Sequence, residues 1–404
     1  MSSSQTSSPL PRKNPTRSIV LLAAAGFASQ AQVRVTDSLL PQIAADLHTT
    51  VGVAAIVVTA YAITHGSVQF LVGPVADRFG KYRVVAITTA LAAAFVALCG
   101  SVSSLPQLAL ARLATGAVAG WIIPVSMAYI GDVTPVERVQ PILARYASGY
   151  ILGQLFGQVL GGVLGDLVGW RNVFFVLAGM FALAAAGLIV ELIADPVTRA
   201  GREENARERG FLAGYGAVLS NPFARIILAV AFVEGALAWG AFAYIGADLH
   251  ARFGISFTLV GVTVGFFGIG GLIYAALVRL FVYRLGQIGL VIGGGLLLAA
   301  AYIVLAIERE WWLAPLATTT IGLGFYMLHN TLQTNATQMT PHARGTAVAI
   351  FSSALYIGQT AGVAVGALIF DKLGAVPLFL GTAALLPMLA GWLAYALRRQ
   401  RPAA

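Results

Sequence analysis

An all-α membrane protein, with twelve spanning helices in two pseudo-symmetric six-helix bundles, is the fold class this chain predicts. Three observations predict it: an apolar composition over the whole length, twelve apolar stretches of spanning length, and a sequence register repeated between the halves. Of 404 residues, 58% are hydrophobic and 10% charged, where a soluble domain carries charge on about a quarter of its residues. The mean hydropathy is +0.83. Each apolar stretch approaches the ~20 residues that a helix needs to cross a ~30 Å hydrocarbon core. The period-two alternation of a membrane β-barrel is missing from these stretches, and 45 glycines suit helices packed closely in lipid.

The helices are expected at about 18–41, 51–74, 83–103, 105–131, 140–165, 171–194, 222–247, 256–281, 287–306, 312–338, 344–370 and 375–397. Met1 to Arg17 is rich in Ser and Pro. The apolar run behind it completes a spanning helix and matches a later segment, so 1–17 reads as a cytoplasmic tail, not a cleaved signal peptide. Residues 18–194 form the first bundle, 222–398 the second and 399–404 a cytoplasmic tail. Between the bundles, 195–221 is a cytoplasmic linker, dense in charge from Asp195 to Arg209.

The net charge of +9 does not mark a nucleic-acid binder, because the basic residues lie in loops. With both termini inside, nineteen Lys and Arg fall on the cytoplasmic side. Four (Arg171, Arg252, Arg309 and Lys372) fall outside, and Arg34 and Arg112 lie within helices, which accounts for all 25. That asymmetry sets the orientation, and a bacterial inner membrane is the expected location. The single cysteine, Cys99, allows no disulfide within the chain.

The halves repeat one another. Ala45-Asp46-Leu47-His48 recurs as Ala247-Asp248-Leu249-His250, with Gly52 matched to Gly254; Arg78-x-Gly80 recurs as Arg284-x-Gly286, and Thr134-Pro135-x-x-Arg138 as Thr340-Pro341-x-x-Arg344. The fifth and eleventh helices align without a gap: Gly153, Gln154, Gly157, Gly161, Asp166 and Gly169 correspond to Gly358, Gln359, Gly362, Gly366, Asp371 and Gly374. Two parallel repeats predict a site between them.

Between the second and third helices stands Gly73-x3-Asp77-Arg78-x-Gly80-Lys81-x-Arg83. A charged, Gly-punctuated turn there cannot lie in hydrocarbon, so it joins two helices at a membrane surface. It resembles the loop 2–3 signature of the major facilitator superfamily. The resemblance runs over about 18–398 and implies a transporter that works by alternating access, with Asp77, Arg78 and Asp132 as a cytoplasmic latch. The second copy is degenerate, with Tyr283 for the Asp and Arg279 for the first Gly. Gly153-x3-Gly157-Gln158-x2-Gly161-Gly162 resembles the antiporter signature of the drug/proton exporters in that superfamily, with Gln158 in place of its proline. Glycines every four residues also make a stripe for close helix packing.

Ionisable residues inside spans are costly and mark function by default. Arg34 and Asp37 stand three apart on one face and can neutralise each other. Thr36-Asp37-Ser38-Leu39-Leu40-Pro41 resembles the first-helix motif of the drug/proton antiporters, which implies a proton-exchanging acid. The aligned positions in the second half are Ala236 and Trp239. Leu108-x3-Arg112-x3-Gly116 resembles the fourth-helix motif whose Arg tunes proton release, with Asp37 the expected partner through space. Backbone carbonyls are the competing partners. Glu234 is a lone carboxylate mid-way along the seventh helix, able to carry a proton or bind a cationic substrate; His65 and His329 are weaker candidates. Gln154 and Gln359, with Trp121, Phe156, Trp239 and Tyr326, are candidates for the substrate pocket.

Neither a phosphate-binding G-x4-G-K motif nor a metal-ligand spacing occurs, so neither ATP drive nor a metal is expected. The chain reads as no enzyme. It is expected to be a monomeric, proton-coupled exporter of a small organic molecule in a lipid bilayer, with the proton as coupling ion and no cofactor. A proton-coupled importer or facilitator of a sugar or organic acid is the alternative, and a membrane sensor or scaffold a more distant one.

Overall fold

A computed structural model describes residues 16–195, 198, 211–340 and 343–400. The N-terminal tail up to residue 15, most of the charged linker (196–197 and 199–210), residues 341–342 and residues 401–404 lie outside the described residues. No strand occurs among those described. Long helices run over Thr16–Asp46 (α1), Val51–Leu71 (α2), Lys81–Ser101 (α3), Leu105–Val133 (α4), Val136–Val168 (α5), Trp170–Ala194 (α6) and Pro222–Phe253 (α7). The 51-residue run Phe257–Ile307 follows, then Ala314–Gln338, Arg344–Leu373 and Ala375–Gln400. A short helix, Phe211–Ser220, precedes α7.

Ten of these helices are long and apolar enough to cross a membrane. The 51-residue run would be about 77 Å long if straight, more than twice a hydrocarbon core. Gly286, with φ 60 and ψ −177, cuts it into 257–285 (α8) and 287–307 (α9). Ala314–Gln338 (α10) has 25 residues, but three successive threonines, His329 and two asparagines hold its hydropathy down. Arg344–Leu373 and Ala375–Gln400 are α11 and α12.

Local chemistry places the ends. Asn221 caps α7 by accepting from the amides of Phe223 and Ala224, with Pro222 at the first helical position. Ser256 caps α8 through the amide of Leu259. Gly80 takes φ +88 between Val72–Phe79 and α3, and Gly286 takes φ +60 at the matching place. A left-handed backbone at both points is what a side chain resists and glycine permits. Gly169 and Gly374, also matched, both stand at φ +80. One expected match differs: Gly254 ends α7 in the left-handed region, whereas Gly52 lies in the first turn of α2. Gly52 corresponds spatially to Thr258, because each gives its amide to an aspartate of the opposite half.

One continuous core runs through both halves, while Leu110, Leu183, Leu316 and Leu368 point their side chains outward, as a lipid-facing surface requires. Within the halves α5 packs along α1 and α11 along α7; across them α5 meets α8 and α2 meets α11. The glycine stripes make the first contacts possible. A Cβ at Gly153, Gly157 or Gly161 would press on the backbone of Phe27, Ala31 or Val35, and one at Gly358 or Gly362 on Phe232 or Ala236.

Candidate functional site

Along α1, Arg34 is 4% and Asp37 1% exposed. Arg34 Nη1 lies 3.5 Å from an Asp37 oxygen, too long for a charge-assisted hydrogen bond of ~2.8 Å, and neither Asp37 oxygen has a hydrogen-bond partner. Buried polar atoms of Gln32, Thr36, Tyr61, Gln154 and Gln158 are unpaired as well. Folding leaves very few such atoms without a reason. They belong to α1 (Gln32, Thr36), α2 (Tyr61) and α5 (Gln154, Gln158).

Arg112 is fully buried on α4. Its Nε donates to the Val57 carbonyl at 3.1 Å and Nη1 to the Gln32 carbonyl at 3.4 Å, with its guanidinium 4.3 Å from the centre of the Tyr61 ring. Of the two partners open to it, backbone carbonyls are the ones it bonds. Asp37 acts on it only at longer range.

In the second half, Glu234 is fully buried and its Oε2 stands 2.9 Å from His329 Nδ1. The sequence gives both residues but not their pairing. His329 stacks on Phe325 at 4.8 Å. Trp239, Phe242, Phe267, Phe325 and Tyr326 continue this into one aromatic cluster. Of the pocket candidates, only Trp239 and Tyr326 join that cluster. Phe156 pairs with Phe27 and points outward at 38% exposure. Trp121 donates to the Ala117 carbonyl of its own helix, and Gln359 is buried against Gly235. Gln158, where the resembling motif has proline, sits in an unbroken α5 and its carbonyl accepts from Ser38 Oγ at 2.9 Å. His65 lies between Tyr61 and Tyr356, so it joins the two halves.

At the end of the bundle that holds Thr16 and Gln400, Lys81 bridges Asp77 (3.3 Å) and Asp132. The expected latch named Arg78 for this role; instead Arg78 is exposed, its guanidinium over the ring of Phe79. Gly73 lies in the helical turn Val72–Phe79 and Arg83 in the first turn of α3.

The opposite, far end carries two crossed caps that sequence reading misses. Asp166, at the end of α5, accepts from the amides of Phe257 (3.2 Å) and Thr258 at the start of α8. Asp371, at the end of α11, accepts from the Gly52 amide (2.9 Å) and the Thr50 hydroxyl at the start of α2. Each carboxylate caps a helix of the other half, where the helix dipole favours an anion. Gly162 and Gly261 bring α5 and α8 into backbone contact beside the first cap. The far end is therefore closed.

Also at the far end, just past α9, the Glu308 side chain is buried with Arg252 and Asp248. Burial, helped by Asp248 and opposed by Arg252, pushes the Glu308 carboxyl up to about 7. The folded state therefore binds a proton that the unfolded state has already released between about pH 4.5 and 7. Thermal stability in detergent is expected to fall as pH rises through that window, and Glu308→Gln to remove most of that slope.

Among the described residues no group of three or more His, Cys, Asp and Glu could hold a metal ion. The fold and its buried charges define a multi-pass membrane carrier. The Major Facilitator Superfamily model matches residues 22–363, and the chain belongs to that superfamily: it is a transporter, moving a small molecule across a lipid membrane without transforming it. It is 25% identical over 339 residues to the MFS-type transporter YceJ of Bacillus subtilis, covering 83% of this chain and 84% of that one. It is 24% identical over 375 residues to Multidrug resistance protein 1 of the same organism, covering 93% and 94%. Among solved structures, the nucleoside transporter NupG superimposes with TM-score 0.72 at 13% identity, covering 95% of this chain and 99% of that one. A POT family transporter in complex with 5-aminolevulinic acid gives 0.75 at 12%, covering 95% and 97%.

Proposed function

We propose that this chain exports a small organic molecule, a drug-like compound, sugar or metabolite, by proton antiport through alternating access. In this reading it is a twelve-span monomer of a bacterial inner membrane with both termini cytoplasmic, so the far end faces outward. The single observation that carries it is Asp37, a buried carboxylate held loosely by Arg34 inside a cluster of unpaired polar groups. A carboxylate so placed can take up and give up a proton without breaking a strong ion pair. Kinship with Multidrug resistance protein 1 and with the Multidrug export protein EmrB of Haemophilus influenzae, 30% identical over 161 residues covering 39% of this chain and 32% of that one, supports export.

In the cycle, Asp37 or Glu234 is protonated from outside while the far end is open and substrate leaves. The halves then rock to close the far end, the proton departs to the cytoplasm, and substrate enters. Arg112 holds α4 to α2 and α1 and keeps positive charge near Asp37 at the moment of release. Each proton that enters contributes about 2.3 kcal/mol per 100 mV of membrane potential. Gln154, Gln359, Tyr326 and the His329–Glu234 pair border the path between the halves, where the Asp77–Lys81–Asp132 bridge would gate the cytoplasmic end.

The test is proton flux in proteoliposomes loaded with a trapped pH dye and challenged with a panel of organic cations, sugars and organic acids. Substrate-triggered proton movement opposite to substrate is expected, lost in Asp37→Asn or in Glu234→Gln. Substrate flux without proton movement, equal in all three proteins, overturns antiport and leaves a facilitator; proton and substrate moving together leave an importer.

A further inference from the structure

We propose that Trp239 is the residue through which protonation of Asp37 closes the far end, by receiving the Arg34 guanidinium across the seam between the halves. The proposal rests on Asp37 as the proton carrier and adds the part that turns a proton into motion.

Arg34 belongs to the first half and Trp239 to the second, yet the guanidinium carbon of Arg34 lies 3.5 Å from the centre of the Trp239 ring. The ring is 4% exposed, and Phe242, Phe267 and Phe325 fix its orientation at 4.8–5.4 Å between centroids. Trp239 closes the π-helical turn Gly235–Trp239, an irregularity that recurs at functional positions in helices. In the sequence repeat, this stretch aligns with the part of α1 that carries Arg34 and Asp37. The pseudo-symmetric scaffold thus sets a cation of one half against an aromatic face of the other, at equivalent places.

Two close contacts hold the Arg34 guanidinium among the described residues. Its ion pair with Asp37 is long at 3.5 Å, its Nε is unpaired, and its other stabilisation is the ring. The charged groups that face Asp37 are Arg34 on its own helix and Arg112 on α4. When a proton adds to an Asp37 oxygen, no covalent bond breaks and the carboxylate charge is lost. A buried guanidinium then holds its position chiefly through the ring, where a desolvated cation–π contact is at its strongest. Because the ring belongs to the other half, protonation tightens the seam. The far end, already joined by the caps of Asp166 and Asp371, stays closed until the proton leaves. The direction fits antiport: the proton-loaded carrier is the one that faces inward.

Conformation tests this apart from flux. With Cys99→Ser, spin labels at Ser103→Cys and Glu310→Cys, on exposed far-end loops of opposite halves, report far-end opening as a distance distribution in nanodiscs. Asp37→Asn, a mimic of the protonated acid, is expected to hold the closed distance from pH 5 to 8. Adding Trp239→Leu is expected to lower the closed-to-open ratio about tenfold, and Trp239→Phe to lose only part of that. Arg34→Met should match Trp239→Leu, and the two together should add little more. An unchanged ratio in Trp239→Leu, a Phe variant as impaired as the Leu variant, or additive effects of Arg34→Met and Trp239→Leu would each overturn the clamp. Antiport fails on a different reading, substrate flux without proton movement.

Discussion

Removing both far-end carboxylates, as Asp166→Ala with Asp371→Ala, is expected to raise the ratio of far-open to far-closed molecules about 30-fold. Each carboxylate caps the first turn of a helix in the other half: Asp166 the start of α8 and Asp371 the start of α2. Loss of an N-cap Asp costs about 1 kcal/mol, so two independent caps together hold about 2 kcal/mol of closure. At about 1.4 kcal/mol for each factor of ten, that is a shift near 30-fold. These caps belong to the closed arrangement alone, because separating the halves takes each aspartate away from its amides. Their loss therefore weights the equilibrium and leaves each half intact. Either single variant should move the ratio about fivefold, and added salt should weaken the effect, since both carboxylates are exposed and surface electrostatics are screened. Labels at positions 103 and 310 read the outcome. An unchanged distance distribution in the double variant would show that the caps do not hold the far end shut.

The same caps show where sequence reading stops. Asp166 and Asp371 are legible as matched residues of the repeat, and an aspartate is a known helix cap, but a cap is ordinarily sought one residue before its own helix. Here the capped helices are 91 and 319 residues away, a distance only tertiary structure closes. By contrast, features fixed by local sequence or by composition are read directly: the spanning lengths, the matched glycines at 80 and 286 and at 169 and 374, whose positive φ the structure adds, and the spacing of the α5 and α11 stripes. The side-chain partners inside the bundle are not local. Glu234 and His329 are visible as ionisable residues in spans, yet their 2.9 Å pairing depends on how α7 and α10 are rotated against each other. Lys81 and Arg78 lie three apart in one turn motif, so sequence cannot tell which of them reaches Asp132. The rotation of the two helices puts Lys81 there. Arg112 turned to carbonyls for a similar reason: nothing in its own helix says which neighbour brings its carbonyl oxygens within reach.

In the proposed cycle the asymmetry between the halves carries more than the symmetry does. Both halves repeat the packing of α5 on α1 and α11 on α7, but only the first has Arg34, Asp37 and Arg112. The second puts Trp239 and a His–Glu pair in the corresponding region. A symmetric scaffold supplies two states of nearly equal stability, and unequal contents allow a proton to favour one of them.

The largest effect on stability is expected at Gly157. A Cβ built there would lie within 2.2–2.7 Å of three backbone atoms of Ala31, which cannot rotate aside, so Gly157→Val must push α5 off α1 along its length. Overpacking of a close-packed interior costs about 1–3 kcal/mol, and the upper part of that range applies where the obstacle is backbone. A fall of roughly 2–4 °C in the melting temperature of the purified protein follows for a chain of this length. Gly179→Ala is the control, since nothing lies within 4 Å of its Cβ, and its melting temperature should not fall. Gly162→Val is the telling companion. Its clash is as severe, against Phe257 and Gly261, but those atoms belong to the other half. The halves can relieve it by parting, which Gly157→Val cannot do because α1 and α5 share one half. Gly162→Val should therefore keep most of its thermal stability and shift the 103–310 distance toward the open state. If both glycine variants melt alike and neither moves that distance, the halves do not separate as rigid units along the α5–α8 seam.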